Sequence, residues 1–273
     1  MARSDLNVVL HIGTPKTATT SIQHALANNR DYLLERGILF PRVFGQSNQV
    51  GLEIYSTDWE RPNGPRSSAG IDTKRKLLRY RDQILRDFVQ EVRQPHQLKT
   101  IVLSNEGLCG IRTKSEFDRL KELISSVSNN IKILIYLRRQ DLNAVSQYTT
   151  LLKTGAVRPN VFIKYKNTDR PYLKYDILLG LWREAFGDDA IDIRIFEKGK
   201  IIGGNIYKDF FSLLPSVKFE ELSVLGNANI ALTPTGCEFM RLMNEATAGL
   251  GPSGIKIRRK TRAFLEKNAA GAG

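Results

Sequence analysis

The sequence predicts an α/β fold with a mostly parallel central sheet and helices on both of its faces. Two observations support this prediction. Short apolar runs, typical of buried strands, alternate along the chain with longer segments of helical periodicity. Lys16, Glu106 and Arg138 each follow a predicted strand. The carboxyl ends of parallel strands share one edge, which is where such sheets bind their ligands.

Strands are predicted near residues 6–12, 100–104, 131–137 and 190–196. The first begins at Leu6 and leads into a tight loop. The second ends in Leu103-Ser104-Asn105-Glu106-Gly107, and the third runs from Ile131 to Leu137 with the branched apolar side chains of a buried strand. The fourth, from Ile191 to Glu197, has a similar strand-like composition.

Helices are predicted near residues 19–35, 73–93, 115–127, 141–154, 171–186 and 202–213. Hydroxyl residues open the first of them, and Asp141 lies near the cap of the fourth. Glycine, proline and serine cluster in residues 45–70, which predicts a long irregular loop, and residues 155–170 form a second loop candidate. We expect a single domain over residues 1–267 and a disordered tail over residues 268–273.

The loop after the first strand carries the strongest functional signal. It joins Gly13 and Lys16 to a helix that opens on hydroxyl residues. Backbone N–H groups at a helix N-terminus are unpaired and partly positive, and Lys16 adds a full charge. Further donors come from the hydroxyl groups of Thr17, Thr19, Thr20 and Ser21. The loop therefore predicts a site for phosphate or a similar anion, with a plain strand–turn–helix as the alternative.

This loop does not match the nucleoside-triphosphatase pattern. That pattern is G-x-x-x-x-G-K-[ST], with glycine directly before the lysine. Pro15 precedes Lys16, and Gly13 lies only three positions before it. No strand clearly ends in an aspartate that could hold Mg²⁺. The sequence therefore argues against ordinary ATP or GTP hydrolysis.

A second element follows the strand at 131–137. Arg138 and Arg139 end this strand, and Ser146 follows two helical turns later, eight positions after Arg138. An arginine and a serine at this spacing can face one pocket, and the planar guanidinium donates two parallel bonds to a phosphate. A solvated strand end is the alternative reading of the arginine pair alone.

Together the two elements resemble the bacterial sulfotransferase-domain family. The run Lys16-Thr17-Ala18-Thr19-Thr20 is similar to its 5′-phosphosulfate loop, K-[TS]-G-T-T, with Ala18 in place of the common glycine. The pair Arg138 and Ser146 looks like its 3′-phosphate element. Weaker similarity extends through Trp182–Gly187 and Asp209–Phe211, so the resemblance covers most of residues 6–215.

The resemblance implies a P-loop-like sulfotransferase architecture and a donor, 3′-phosphoadenosine-5′-phosphosulfate (PAPS). Lys16 would neutralise charge on the leaving phosphate, while residues 17–21 would hold the 5′-phosphate. Arg138 and Ser146 would hold the 3′-phosphate. The acceptor would be a hydroxyl group of a carbohydrate or glycolipid, which could itself be anionic. Neither element supplies metal ligands, so no metal is expected.

Sulfuryl transfer also needs a base for the acceptor proton. Glu106 is the candidate, because some glycan sulfotransferases use a glutamate and others a histidine. A carboxylate that pairs with an arginine or caps a helix is the alternative reading. His11 is the rival base, although its place inside the first strand favours a structural hydrogen bond.

Composition sets the remaining limits. The net charge is +13, which favours a polyanionic partner, and part of it lies between Lys256 and Arg262, in what could be a solvated tail. Neither the 2 cysteines nor the 3 histidines form a metal-binding motif. We expect no nucleic-acid partner, no membrane span and no signal peptide, and hence a cytoplasmic location.

Two other functions compete with the transferase. A P-loop kinase for a small molecule would share the strand–loop–helix but would leave the Arg138–Ser146 pair without a purpose. A non-catalytic anion- or glycan-binding protein could keep the fold without the chemistry, and Ala18 favours this alternative.

Overall fold

The computed structural model describes residues 5–157, 171–223 and 232–269. Within them a sheet of 5 parallel strands has the order β2-β3-β1-β4-β5. The strands are β1 (Asn7–His11), β2 (Ile38–Leu39), β3 (Thr100–Ser104), β4 (Asn130–Leu137) and β5 (Ile191–Ile195). The predicted α/β class and the parallel sheet are confirmed.

Helices connect these strands. They are α1 (Thr19–Asn28), α2 (Arg30–Glu35), α3 (Val50–Ser56), α4 (Gly64–Ser68), α5 (Lys74–Arg93), α6 (Lys114–Ser125), α7 (Gln140–Lys153), α8 (Tyr175–Phe186), α9 (Ile206–Phe211), α10 (Pro234–Ala246) and α11 (Gly251–Ala269). Short 3₁₀ helices lie at Glu106–Gly110, Pro171–Leu173, Asp188–Ala190, Ile202–Gly204 and Phe219–Glu221.

Helices cover both faces of the sheet. Successive residues of a strand point to opposite faces, so one strand packs against helices on both sides. Ile133 and Ile135 of β4 pack in one apolar cluster with residues of α5, α6 and α8. Leu134 and Tyr136 belong to a second cluster with residues of α1 and α9. A strand buried on both sides explains why 131–137 is apolar at nearly every position.

The prediction for residues 45–70 is wrong in part, since two helices lie within this segment. Helix α3 buries Leu52 and Ile54, and the Asn63 side chain caps α4 by accepting a bond from the Arg66 backbone N–H at 2.7 Å. Glycine and proline therefore mark the ends of short helices here, where Pro65 occupies a first-turn position.

Two further elements differ from the predictions. The helix expected over 19–35 is divided at Asn29, whose side chain donates to the Ala25 carbonyl at 2.7 Å and the Ser223 carbonyl at 2.9 Å. Strand β2 was not predicted at all, because its two residues are too few to show any periodicity.

The chain divides into two compact units. The first comprises Met1–Arg138 and Arg170–Leu225, and the second comprises Arg139–Asp169 and Gly226–Gly273. The first contains the sheet. In the second, the described core consists of Tyr148, Leu152, Leu232 and Met240. A single domain over 1–267 stays a prediction.

Two predicted segments fall partly outside the described residues. The loop candidate at 155–170 lies outside them from residue 158 onward, and the predicted disordered tail lies outside them from residue 270 onward. Helix α11 includes Asn268 and Ala269, which the sequence assigned to that tail. Among the described residues, no helix combines the length and apolar character that crossing a bilayer requires.

Candidate functional site

The loop between β1 and α1 has an unusual backbone. Gly13, Lys16 and Ala18 have φ angles of 95°, 70° and 62°, all in the left-handed range. Glycine adopts this range freely, whereas a side chain makes it costly by about 1–2 kcal/mol. Lys16 and Ala18 are therefore held there by their surroundings. Ala18 stands where the resembled motif commonly has glycine, and its φ of 62° is one that glycine adopts freely.

Helix α1 begins directly after this loop. Ala18 occupies its N-cap position and provides no side-chain hydrogen bond. The first intrahelical bond joins the Ile22 N–H to the Ala18 carbonyl at 3.1 Å. The N–H groups of the first helical turn have no acceptor within the helix, so they and the helix dipole suit an anion.

The hydroxyl groups of the loop divide into two sets. The Thr17 hydroxyl is buried and donates to the Thr14 carbonyl at 2.6 Å. The buried Thr19 hydroxyl lies within reach of the same carbonyl, at 3.3 Å, and of the Glu106 carboxylate. Thr20 is exposed and Ser21 is half-buried. Thr17 and Thr19 therefore stabilise the loop from within, whereas Thr20 and Ser21 lie on its accessible side.

Glu106 lies against this loop. It follows β3, and a Cβ atom placed on Gly13 would be 3.4 Å from both Cα and Cγ of Glu106. Burial raises the pKa of the Glu106 carboxyl above its ordinary value of 4.5, while the Thr19 hydrogen bond and the charge of Lys16 oppose the rise. The structure thus brings Lys16, Thr19 and Glu106 together. Burial at this place raises the pKa of the Glu106 carboxyl, as is common for groups that accept a proton in a reaction.

Arg138 reaches the same loop from the end of β4. Its Nη1 donates to the Lys16 carbonyl at 3.1 Å, and its guanidinium lies 5.7 Å from the centre of the Phe196 ring. The Tyr175 hydroxyl donates to the Arg138 carbonyl. Partial burial lowers the pKa of Arg138, which remains far above neutrality as in any arginine. Lys16, Glu106 and Arg138 therefore share one edge of the sheet.

Ser146 lies in the second unit, on α7, where it is half-buried. Its carbonyl accepts a hydrogen bond from the Thr150 hydroxyl at 3.0 Å. Arg138 belongs to the first unit, so the joint binding of one phosphate by Arg138 and Ser146 stays a prediction.

His11 lies in the core. It is fully buried, Ser104 Oγ lies 2.9 Å from its Nδ1, and the Tyr136 and Phe210 rings contact its imidazole edge to face. Burial lowers the pKa of His11 to about 3, so the ring is neutral near pH 7. These contacts indicate a structural role for His11, whereas Glu106 lies beside Lys16 and Thr19 at the loop.

Further polar residues that the sequence did not single out lie against the chain neighbours of Glu106. Gln49 accepts the Ser104 N–H at 2.8 Å and donates its own N–H to the Ser104 carbonyl at 3.3 Å, so it continues the hydrogen bonding of β3. Glu53 lies against Gly107 and accepts from the Asn63 amide at 3.2 Å, and burial raises the pKa of its carboxyl. The only sequence signal was the glycine-rich segment 45–70 that contains these residues.

Among the described residues, no group of three or more histidine, cysteine, aspartate or glutamate side chains could hold a metal ion. Among the described residues, the site combines a lysine, an arginine, a glutamate and the backbone N–H groups at the start of α1. Such a set can bind a multiply charged anion and can accept a proton beside it.

Comparisons with known proteins identify few relatives. No family model matches the chain. A protein of Archaeoglobus fulgidus described as uncharacterized is 32% identical over 145 residues, which are 53% of this chain and 38% of that protein. The matched part thus spans well under half of that relative's length. The crystal structure of a sulfotransferase from Alicyclobacillus acidocaldarius aligns with 94% of this chain and 96% of its own, with a TM-score of 0.43 and 14% identity.

Proposed function

We propose that this protein transfers a sulfuryl group from PAPS to a hydroxyl group of a carbohydrate or glycolipid. The observation that carries the proposal is the assembly of Lys16, Glu106 and Arg138 around one loop at the carboxyl edge of the sheet. The two sequence motifs that the resemblance assigns to the donor begin at this edge, with Lys16 and Arg138. Glu106, the proposed base, lies beside Lys16.

The loop fits the 5′ end of the donor. The uncapped N-terminus of α1 and the accessible side of Thr20 and Ser21 would bind the 5′-phosphate. Lys16 would stabilise the negative charge that collects on the bridging oxygen as the sulfur–oxygen bond breaks. Its left-handed backbone and the Arg138 bond to its carbonyl fix where the lysine side chain starts.

Arg138 would distinguish this donor from ATP. Its guanidinium would pair with the 3′-phosphate, with Ser146 as the second donor implied by the sequence resemblance. The Tyr175 hydroxyl bonds the Arg138 carbonyl and the Phe196 ring lies near its guanidinium, so both help to position Arg138. A nucleotide without a 3′-phosphate would lose this contact.

Glu106 would remove the proton of the acceptor hydroxyl. As the new oxygen–sulfur bond forms, the proton passes to the carboxylate and the 3′,5′-adenosine bisphosphate leaves with the electron pair of the broken bond. The segment from Gln49 to Asn63 borders Glu106 and would form the acceptor side of the site.

A thermal-shift experiment with matched nucleotides tests the proposal. A ligand at about 100 times its Kd adds about 2.7 kcal/mol to the folded state. For a chain of this size the gain raises Tm by roughly 5–10 °C. We expect this shift with 3′,5′-adenosine bisphosphate and a much smaller one with 5′-AMP, which lacks only the 3′-phosphate.

The other outcomes distinguish the competing functions. A shift with ATP and Mg²⁺ but none with the bisphosphate would favour a kinase. No shift with either nucleotide would favour an anion-binding protein without transfer chemistry. If the bisphosphate binds, labelled donor and cell-envelope glycans then test for transfer to a hydroxyl group.

A further inference from the structure

Helix α11 carries charge that the proposed site does not use. It contains 6 basic residues and 1 acidic residue, Glu266. Arg262 and Lys153 both pair with Glu266, and Arg258 donates to the Thr247 carbonyl at 3.0 Å. Among the described residues, the remaining basic side chains of this helix form no ion pair; they are Lys256, Arg259, Lys260 and Lys267. The helix is therefore a concentrated and largely uncompensated positive surface.

Large apolar side chains are exposed on the same helix. Phe264 is 65% exposed and Ile257 is 38% exposed. An exposed phenylalanine among lysines is not what a merely solvated face requires, because burial of its ring from water would be favourable.

Helical geometry places these residues side by side. Ile257 and Phe264 are seven positions apart, which is close to two turns, so they lie on one line along the helix. Lys260 lies between them, three positions after Ile257, and Lys267 follows Phe264 by the same interval. Lys256 lies one turn before Lys260. We call these five residues the apolar–basic face of α11.

A side of the helix that adjoins this face packs on its own unit, whereas Ile255, on the side opposite Phe264, is 46% exposed. Gly254 is buried, and a Cβ atom placed there would collide with the Thr247 carbonyl. Leu265 packs on the apolar cluster formed by Tyr148, Leu152 and Met240. The helix is therefore fixed in rotation, and its apolar–basic face is directed outward.

We propose that the apolar–basic face binds the surface of an anionic lipid bilayer. Ile257 and Phe264 would enter the boundary between headgroups and acyl chains, while the three lysines would contact anionic headgroups. This combination of one apolar line and adjoining lysines is typical of helices that lie in the plane of a membrane. The proposal concerns attachment to a surface and requires no membrane-spanning segment.

Other partners fit this face less well. A second copy of the chain would bring two sets of lysines together, and like charges repel. A nucleic acid would use the lysines, but it would leave Ile257 unexplained, because phosphate contacts need no aliphatic group. Of these three partners, an anionic bilayer is the one that uses both the charge and the apolar line.

Vesicle sedimentation tests the proposal with the full chain and without any nucleotide, so its result is independent of the proposed transfer reaction. One set of vesicles is phosphatidylcholine, and the other contains roughly one-third phosphatidylglycerol. We expect the protein to sediment with the anionic vesicles only, and to be released as salt rises, because the attraction is screened.

Two variants locate the surface. Lys256→Glu/Lys260→Glu should weaken vesicle binding by at least about 25-fold, because each basic residue near an anionic surface contributes roughly a factor of five. The control Lys99→Glu/Lys132→Glu changes the net charge equally, at two exposed lysines near the amino ends of β3 and β4. It should bind nearly as well as the wild type.

Phe264→Ser should also release the protein, since it removes the most exposed apolar group of the face without changing charge. Its control is Leu78→Ser, on α5, where the leucine is 59% exposed. Both variants change exposed positions, and circular dichroism checks that they fold.

Three results would overturn the proposal. The first is equal sedimentation with neutral and anionic vesicles or with neither. The second is an equal loss in the two lysine pairs, which would indicate net charge alone. The third combines two results: Phe264→Ser binds anionic vesicles as well as the wild type does, and the wild type binds duplex DNA whereas Lys256→Glu/Lys260→Glu does not. This outcome would identify a nucleic-acid surface instead.

Discussion

The loop at residues 13–21 and helix α11 both carry basic side chains, but they present them in different ways. The loop has a single basic side chain, Lys16, and a backbone fixed by internal hydrogen bonds. Helix α11 has 6 basic residues, and most of them extend into solvent. Chemistry on one bond requires the former arrangement, because a fixed donor need not reorganise as charge develops.

The number of charges in a region therefore does not locate a reaction site. Exposed lysines interact through solvent and are screened by salt within about 10 Å. A largely buried group such as Glu106 responds to its surroundings, since burial raises the pKa of its carboxyl although Thr19 and Lys16 oppose the rise. The predictions below compare equivalent changes in the two regions, beginning with the largest expected effect.

Lys16→Met should lower transfer activity by about 10³-fold, because it removes the one cationic side chain of residues 13–21 that would follow the charge onto the leaving phosphate. Arg259→Met removes one positive charge from α11, outside its apolar–basic face, and should leave turnover unchanged. Steady-state kinetics with labelled donor measures both. A folded Lys16→Met variant with normal turnover would contradict the mechanism.

Glu106→Gln should lower kcat by roughly 10²- to 10³-fold, within the range usual for a general base. Glu266→Gln on α11 removes a carboxylate that pairs with Lys153 and Arg262, and it should leave kcat unchanged. Equal effects of the two substitutions would mean that Glu106 acts through stability alone.

The pH profile gives Glu106 a second test within the same series. The base must be deprotonated, and its pKa lies above the ordinary 4.5, so activity should fall with acidification at a pH higher than an exposed glutamate would cause. In Glu106→Gln the residual rate should lack this acid limb. An unchanged limb would assign it to another group.

Arg138→Gln should weaken binding of 3′,5′-adenosine bisphosphate by about 1–3 kcal/mol, the usual loss for one charged hydrogen-bond partner. Binding of 5′-AMP should change little. Arg259→Gln is the matched substitution on α11 and should affect neither nucleotide. Calorimetry measures all four affinities, and an unchanged affinity for the bisphosphate in Arg138→Gln would refute the 3′-phosphate role.

Ala18→Gly should stabilise the protein by about 1 kcal/mol, because glycine relieves the cost of the left-handed backbone. Ala263→Gly, at an exposed interior position of α11, should destabilise it by about 1 kcal/mol, the usual cost of glycine in a helix. Urea unfolding compares the two. Destabilisation by both substitutions would mean that residue 18 does not need a positive φ.

Much of the sheet could be predicted because the signal is local. The run 131–137 is apolar enough that only a buried strand accommodates it, and β4 is found at Asn130–Leu137. Residues 45–70 were misread because short helices such as α3 and α4 are stabilised by tertiary contacts rather than by their own periodicity. The glycine and proline residues that suggested a loop mark helix ends.

The sequence by itself determined the class of the fold and which side chains follow each strand, since strand burial and residue order are written in the chain. The tertiary structure decided that Glu106 contacts Thr19 and that Arg138 binds the Lys16 carbonyl. It also decided which lysines of α11 lie beside Phe264 on an outward face. These relations join residues or faces whose positions depend on packing, and packing is a property of the folded chain as a whole.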